Sequence, residues 1–334
     1  MMTNYYKYLI FTPMLLVTNL MIFSTSSWLA MWMIMEMNLI NFIMLIKFDS
    51  PNNSNIFMSY FLIQTLNSYL FLFSSIMLDF NHMFEYFMML TLITKMGMPP
   101  FHYWYFNMFY NLKWFNIFLI STIQKLIPFM IITNLLNLNF SMYCDWLMGI
   151  MILSSMIYSI VAIDYLNIKL IMAYSSIIQV SWMILILVFN EKLWLLYFSC
   201  YFLIMMNICI LCNKMNLNQI SNISSSMINN KTNMFIFMNL MSLAAIPPYF
   251  GFMMKWNSIM MLNNQLNYII IMTMIWSSLT SAYFYIRLMF YSILKNKFKT
   301  KIYLLKLMKK THFSFWFIYL NWLILIMLLN YELL

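Results

Sequence analysis

Four ionisable residues stand where the sequence is otherwise apolar: Glu36 in "MWMIMEMNLI", Lys95 in "TLITKMGMPPFHYW", Lys125 in "TIQKLIPF" and Lys255 in "IPPYFGFMMKW". In such surroundings a carboxyl or an amine can exchange a proton or hold a counter-charge, and its charged form is costly unless a partner or water reaches it. Two of the four lie beside a second oddity, a double proline: Pro99-Pro100 after Lys95 and Pro247-Pro248 before Lys255. Proline removes a backbone donor and clashes with the preceding turn, so each pair should interrupt its helix. Broken backbone at membrane depth survives only when it is buried in protein or lines a polar cavity. The freed amides and carbonyls, with water, can then solvate a charge. At the first break, with Gly97 just ahead of it, that charge is Lys95.

The elements that must position these groups follow from the apolar runs. Eleven helices are expected, near 8–25, 28–46, 56–78, 84–108, 114–137, 146–163, 168–190, 193–213, 232–261, 265–291 and 313–332. The fold class is therefore an all-α polytopic membrane protein. The segments "GMPPFHYW" (97–104) and "AIPPYFGF" (245–252) are counterparts. They fall in the fourth and ninth helices, the fourth members of two successive five-helix sets. Five is odd, so the second set enters the membrane inverted, an arrangement that transporters use around ion sites. The expected organisation is a first five-helix repeat at 1–138, a second at 139–291, a basic loop at 292–312 and a C-terminal helix at 313–334.

Charge sidedness isolates the same four residues. One side of the membrane holds fourteen cations: Lys7, Lys47, Lys113, Lys169, Lys214, Lys231, Arg287 and seven lysines from Lys295 to Lys310. The other holds Lys192 alone. By the positive-inside rule the N-terminus faces the matrix-like side and the C-terminus the opposite one. Among the acids, Asp49, Asp79, Glu85, Asp145, Asp164, Glu191 and Glu332 fall at helix ends or loops. Glu36, Lys95, Lys125 and Lys255 remain, each costing about 2.5–3.5 kcal/mol at the centre of an inserted helix. Lys95 and Lys125 are far from either helix end, which makes snorkelling difficult. Glu36 is open between a functional group and a structural counter-ion, and Lys255 between a mid-membrane position and snorkelling.

Of the 334 residues 64% are hydrophobic and 8% charged, against roughly 25% charged in a soluble domain. There are 40 Met but only 3 Gly and one arginine, Arg287. Residues with AT-rich codons have displaced those with GC-rich codons, which fits a mitochondrially encoded product better than a core that merely uses Met to fill gaps. The net charge of +10 belongs to orientation and lipid headgroups rather than to nucleic acid. The first helix begins near Tyr8 without a following cleavage site, so neither a signal peptide nor an Arg-rich transit peptide is expected. Cys144, Cys200, Cys209 and Cys212 read as apolar fillers, since Cys209 and Cys212 have no companion Cys or His cluster to make a metal or redox site.

The segments "TKMGMPPFHYW", "MAYSSIIQVSWM" and "MSLAAIPPYFGFMMKW" resemble the antiporter-like membrane subunits of respiratory complex I, and the resemblance extends over essentially the whole chain. It implies two inverted five-helix bundles, and eleven spans match the shortened form found in animals. It implies a Glu36–Lys95 pair from which a polar axis continues through Lys125 and Lys255, translocating protons. It also implies an inner-membrane location and further antiporter-like subunits as partners. The NADH, FMN, iron–sulfur and ubiquinone chemistry would lie in other partner subunits, because this chain has no GxGxxG fingerprint, flavin site or cluster-like Cys array. Gln64, Asn67, Gln124 and Ser175 are candidates to hold connecting water. His102 lies in the matching motif and is open between a relay and a hydrogen-bonded structural role. Many relatives have His-x-Gly where this chain has Gln179 and Ser181; Gln179 can relay through water but cannot titrate. Two other classes stay open, a self-standing cation/proton antiporter and a scaffold whose buried charges only fix packing.

Overall fold

A computed structural model describes residues 2–49, 54–80, 83–138, 140–215, 217, 230–263 and 266–300. The regular elements among them are helices: α1 (Met2–Met21), α2 (Trp28–Asp49), α3 (Ser54–Ile76), α4 (Met83–Lys95), α5 (Tyr103–Asn111), α6 (Trp114–Ser121), α7 (Ile123–Leu138), α8 (Phe140–Val161), α9 (Ile168–Phe189), α10 (Glu191–Met215), α11 (Asn230–Leu243), α12 (Phe250–Asn263) and α13 (Tyr268–Thr300). Serine and threonine hydroxyls in these apolar helices mostly bond carbonyls one turn back, as Ser154 does to Met151 and Ser277 to Met274. In that way a polar side chain is satisfied without leaving its helix.

Among the described residues, seven helical stretches are long and apolar enough to cross a membrane: Trp28–Asp49, Asn55–Ile76, Trp114–Asn137, Trp146–Asp164, Ile168–Phe189, Glu191–Met215 and Tyr268–Phe290. The expected fourth and ninth helices are missing from this set because each is broken at its double proline into two short pieces, α4 with α5 and α11 with α12. The apolar stretch Tyr8–Ser24, made of most of α1 and the 3-10 turn that follows it, is also shorter. The expected helix at 313–332 lies outside the described residues. The helix expected to end at 291 continues to Thr300.

Two compact units are formed. The first comprises Met1–Ser154 with Gln179–Glu191, the second Ser155–Ile178 with Lys192–Leu334. This grouping by contact is a different partition from the topological repeats expected at 1–138 and 139–291, and α9 contributes one half to each unit. Large apolar side chains point outward along α1 (Leu9, Met14, Leu16, Leu20) and α13 (Ile269, Met272, Trp276, Leu279), as helices solvated by lipid require.

Each unit contains a polar tie that the apolar pattern does not show. In the first, Asp49, the last residue of α2, has only 4% of its side chain exposed. Its carboxylate accepts from Tyr8 Oη at 2.6 Å and from Asn116 Nδ2 at 2.9 Å, with Lys113 Nζ at 3.9 Å. These bonds join α1, α2 and α6, and they give a buried charge the several partners it needs. In the second, Arg287 of α13 donates from Nη1 to the Ile163 carbonyl and from Nη2 to the Tyr165 carbonyl at 3.0 Å. The rigid fork of the guanidinium suits two neighbouring carbonyls, and it holds the connection between α8 and α9.

Candidate functional site: a polar cavity beside a broken helix

The first break is built from the end of α4. The Gly97 amide bonds the Thr94 carbonyl (3.1 Å) and the Met98 amide bonds the Ile93 carbonyl (3.2 Å). Gly97 has φ +76°. This is the Schellman closure, in which a left-handed residue folds the chain back over the last helical carbonyls. Any side chain at 97 would also meet Tyr105 Cβ at 2.8 Å. Pro99 and Pro100 follow, and α5 resumes at Tyr103. The Trp104 indole donates across the break to the Thr94 carbonyl at 3.3 Å. His102 sits within the break, its Nδ1 3.0 Å from the Pro100 carbonyl oxygen and its ring against Phe106.

Lys95 is the last residue of α4, the end at which carbonyl dipoles favour a cation. Its Nζ lies 3.3 Å from Met35 Sδ. The side chain lines a cavity of about 30 Å³, bordered among others by Asn38, Gln64, Trp104, Gln124 and Lys125. That volume holds a water molecule or two. Lys95 and Lys125 therefore share one small polar space.

Lys125 reaches it through a second interruption. The helix expected at 114–137 is divided at Thr122 (φ −124°, ψ −75°), whose hydroxyl bonds the Phe118 carbonyl at 2.6 Å. Lys125 thus lies in the first turn of α7, where helix dipoles disfavour a cation. It is 2% exposed, and its Nζ stands 4.7 Å from the centroid of the Tyr105 ring. Such a cation–π contact contributes about 0.5–2 kcal/mol, the upper end when desolvated. Next to it, Gln124 and Asn38 exchange amide bonds at 3.0 and 3.3 Å. Gln64 is buried, and its Nε2 has no hydrogen-bond partner among the described residues. The same holds for Nδ2 of Asn67, one turn on.

Glu36 is half-buried and is not among the residues lining the cavity. Its Oε1 accepts from Ser68 Oγ. Glu36 and Lys95 turn to different neighbours, Ser68 and Met35, rather than closing an ion pair. The pairing implied by the resemblance is an open one here.

The second break closes its first helix with the same bonds as the first break. The Ala244, Ala245 and Ile246 amides bond the Leu240, Ser242 and Met241 carbonyls, as the Met96, Gly97 and Met98 amides bond Leu92, Thr94 and Ile93. Ala245 takes the left-handed place of Gly97, with φ +55°, and both double prolines have cis bonds. Gly251 then packs so closely that a side chain there would overlap the Ser242 carbonyl. The lysines differ in register: Lys95 precedes its break, whereas Lys255 follows its own, inside α12. Lys255 is 5% exposed, and its Nζ has no hydrogen-bond partner among the described residues. It lies in the second unit, whereas Glu36 and the cavity lined by Lys95, Lys125 and Gln124 lie in the first.

Gln179 is buried in α9 and does not line the cavity. Ser175, in the second unit, bonds the Met172 carbonyl at 2.8 Å. Cys200, Cys209 and Cys212 are buried free thiols. No group of His, Cys, Asp or Glu able to hold a metal occurs among the described residues. Sequence reasoning missed Asn38, Ser68 and Tyr105. Asn38 had a signal, an amide two residues after Glu36 in an otherwise apolar run.

Residues 25–281 match the transmembrane family described as NADH:quinone oxidoreductase/Mrp antiporter. Over 261 residues the chain is 37% identical to NADH-ubiquinone oxidoreductase chain 2 of Anopheles gambiae, covering 74% of each chain. Among solved structures, it resembles a chain of the membrane-bound sulfane sulfur reductase, an archaeal respiratory membrane complex. The TM-score is 0.80 at 16% identity, over 97% of this chain and 73% of that one. A chain of respiratory complex I from Thermus thermophilus gives a TM-score of 0.77 at 17% identity, over 86% and 70%. At such identities these two likenesses concern the fold alone.

Proposed function

Because the chain belongs to the NADH:quinone oxidoreductase/Mrp antiporter family of transmembrane subunits, we propose that it is a proton-translocating membrane subunit of an NADH:ubiquinone oxidoreductase. The observation that carries this reading is the cavity shared by Lys95 and Lys125 beside a broken helix. Two amines held in a nearly dry space of one or two waters form a place where one proton can be handed over. The charge costs too much there to be kept for packing alone.

Glu36 sets the state of Lys95. A carboxylate drawn close favours the protonated amine, and one held away withdraws that support. The proton then passes toward Lys125, at the helix end that disfavours a cation, and onward to Lys255. Gln64 and Gln124 orient water between the first two amines, with Asn38 holding the Gln124 amide in place. Redox chemistry belongs to partner subunits, which hold NADH, FMN, iron–sulfur clusters and ubiquinone, and further antiporter-like subunits adjoin this one. The chain sits in the mitochondrial inner membrane, N-terminus toward the matrix and C-terminus toward the intermembrane space.

The family also includes Mrp antiporters, so a self-standing cation/proton antiporter is the alternative. A native gel of source membranes in mild detergent separates the two, with an antibody to the Lys295–Lys310 segment compared against in-gel NADH oxidation. Co-migration in one very large active band is expected. A small band without NADH oxidation would favour the antiporter.

A further inference from the structure

Ser68 occupies an unusual place between two acceptors. Its Oγ bonds Glu36 Oε1 on α2 and lies 2.7 Å from the Thr65 carbonyl oxygen of its own helix, α3. The residue is fully buried. A hydroxyl has one hydrogen and two lone pairs, so Ser68 cannot donate to both acceptors at once. Two arrangements satisfy it. When Glu36 is ionised, the hydroxyl donates to the carboxylate, and the Thr65 carbonyl keeps its helical bond. When Glu36 is protonated, the carboxyl O–H donates to Ser68 Oγ, and the Ser68 hydroxyl rotates to donate to Thr65. The carboxyl stays hydrogen-bonded in both states, and no backbone moves.

We propose that Ser68 is a positioning residue, a latch that can bond the Glu36 carboxyl in either protonation state and competes with Lys95 for it, so that the pair is open while Ser68 holds Glu36 and closes when Glu36 turns to Lys95. This rests on the proton-carrying reading of Glu36 and Lys95. The surroundings agree with it. Lys95 ends α4, which packs on the same helix α3 that carries Ser68. The adjoining helix α3 carries no Asp, Glu, Lys or Arg and offers Ser68 and the amide of Asn67. Lys95 meanwhile has the soft Met35 sulfur as its near neighbour, so the amine is left without a carboxylate for as long as the latch holds.

The test uses the assembled membrane complex and the infrared C=O stretch of the Glu36 carboxyl, identified by its loss in Glu36→Gln and followed through a pH titration. Ser68→Ala should move both the band and its titration midpoint, and Ser68→Thr, which keeps the hydroxyl, should restore both. Ser68→Cys, similar in size with a weak donor, should fall between and serves if the alanine variant does not assemble. The matching kinetic expectation is a several-fold slower proton release in Ser68→Ala and a near-normal rate in Ser68→Thr. An unchanged band and midpoint in Ser68→Ala, or in Ser68→Cys if only that assembles, would overturn the latch. Undiminished pumping by Glu36→Gln would instead overturn the reading beneath it, whatever the band does.

Discussion

At the scale of single residues, the cavity depends on amides and rings as much as on its two lysines. Asn38 and Gln124 satisfy one another inside the membrane, so removing Asn38 leaves the half-buried Gln124 amide without its partner. Asn38→Leu should destabilise the assembled complex by about 1–3 kcal/mol, the cost of an orphaned polar group. Adding Gln124→Met should recover much of that loss, because replacing both partners costs less than stranding one. Thermal unfolding of the purified complex would show it, and equal losses in the single and double variants would contradict it. Lys95 and Lys125, which line the cavity, stood out in the sequence as candidates, with Glu36 and Lys255, because a charge in an apolar run is conspicuous. Ser68 was not, since a hydroxyl in such a helix ordinarily bonds its own backbone, as Ser154 and Ser277 do. Met35 could not be singled out among 40 methionines, and Tyr105 looked like one more aromatic in a motif already full of them.

At the scale of elements, the two breaks use the same set of backbone bonds with different residues at the left-handed position, Gly97 and Ala245. Gly97→Ala should be clearly destabilising, because it combines positive φ with a collision against Tyr105. The left-handed conformation alone costs a residue with a side chain roughly 1–2 kcal/mol. Ala245→Gly relieves that cost but loosens the unfolded chain, so it should change stability by less than about 1 kcal/mol. Comparable losses in the two variants would show that the breaks are not equivalent. Both breaks could be read from their double prolines. The interruption at Thr122 could not, because neither Gly nor Pro stands there; Pro128, lining the same cavity, lies more than a turn further on. The extension of α13 to Thr300 was hidden for the converse reason. Its lysines mark the membrane boundary, and a helix can cross that boundary without ending.

At the scale of the whole molecule, the hydropathy pattern disclosed an all-helical membrane protein, and charge sidedness predicts its orientation. Lys113 and Lys192, both exposed, are predicted on opposite faces. A membrane-impermeant amine reagent should label Lys113 only from the matrix side and Lys192 only from the other side. Labelling of both from one side would refute the assigned topology. The span count was less legible than the fold class, since a helix broken to hold a charge no longer looks like a span by length. The central claim is that the buried amine at the first break carries protons rather than merely filling space. It is tested most directly by Lys95→Met in the assembled complex, counting protons released per NADH oxidised in sealed inner-membrane vesicles. Loss of most of that ratio, with the complex still present at normal size on a native gel, is the result predicted here. Pumping that persists undiminished would contradict it.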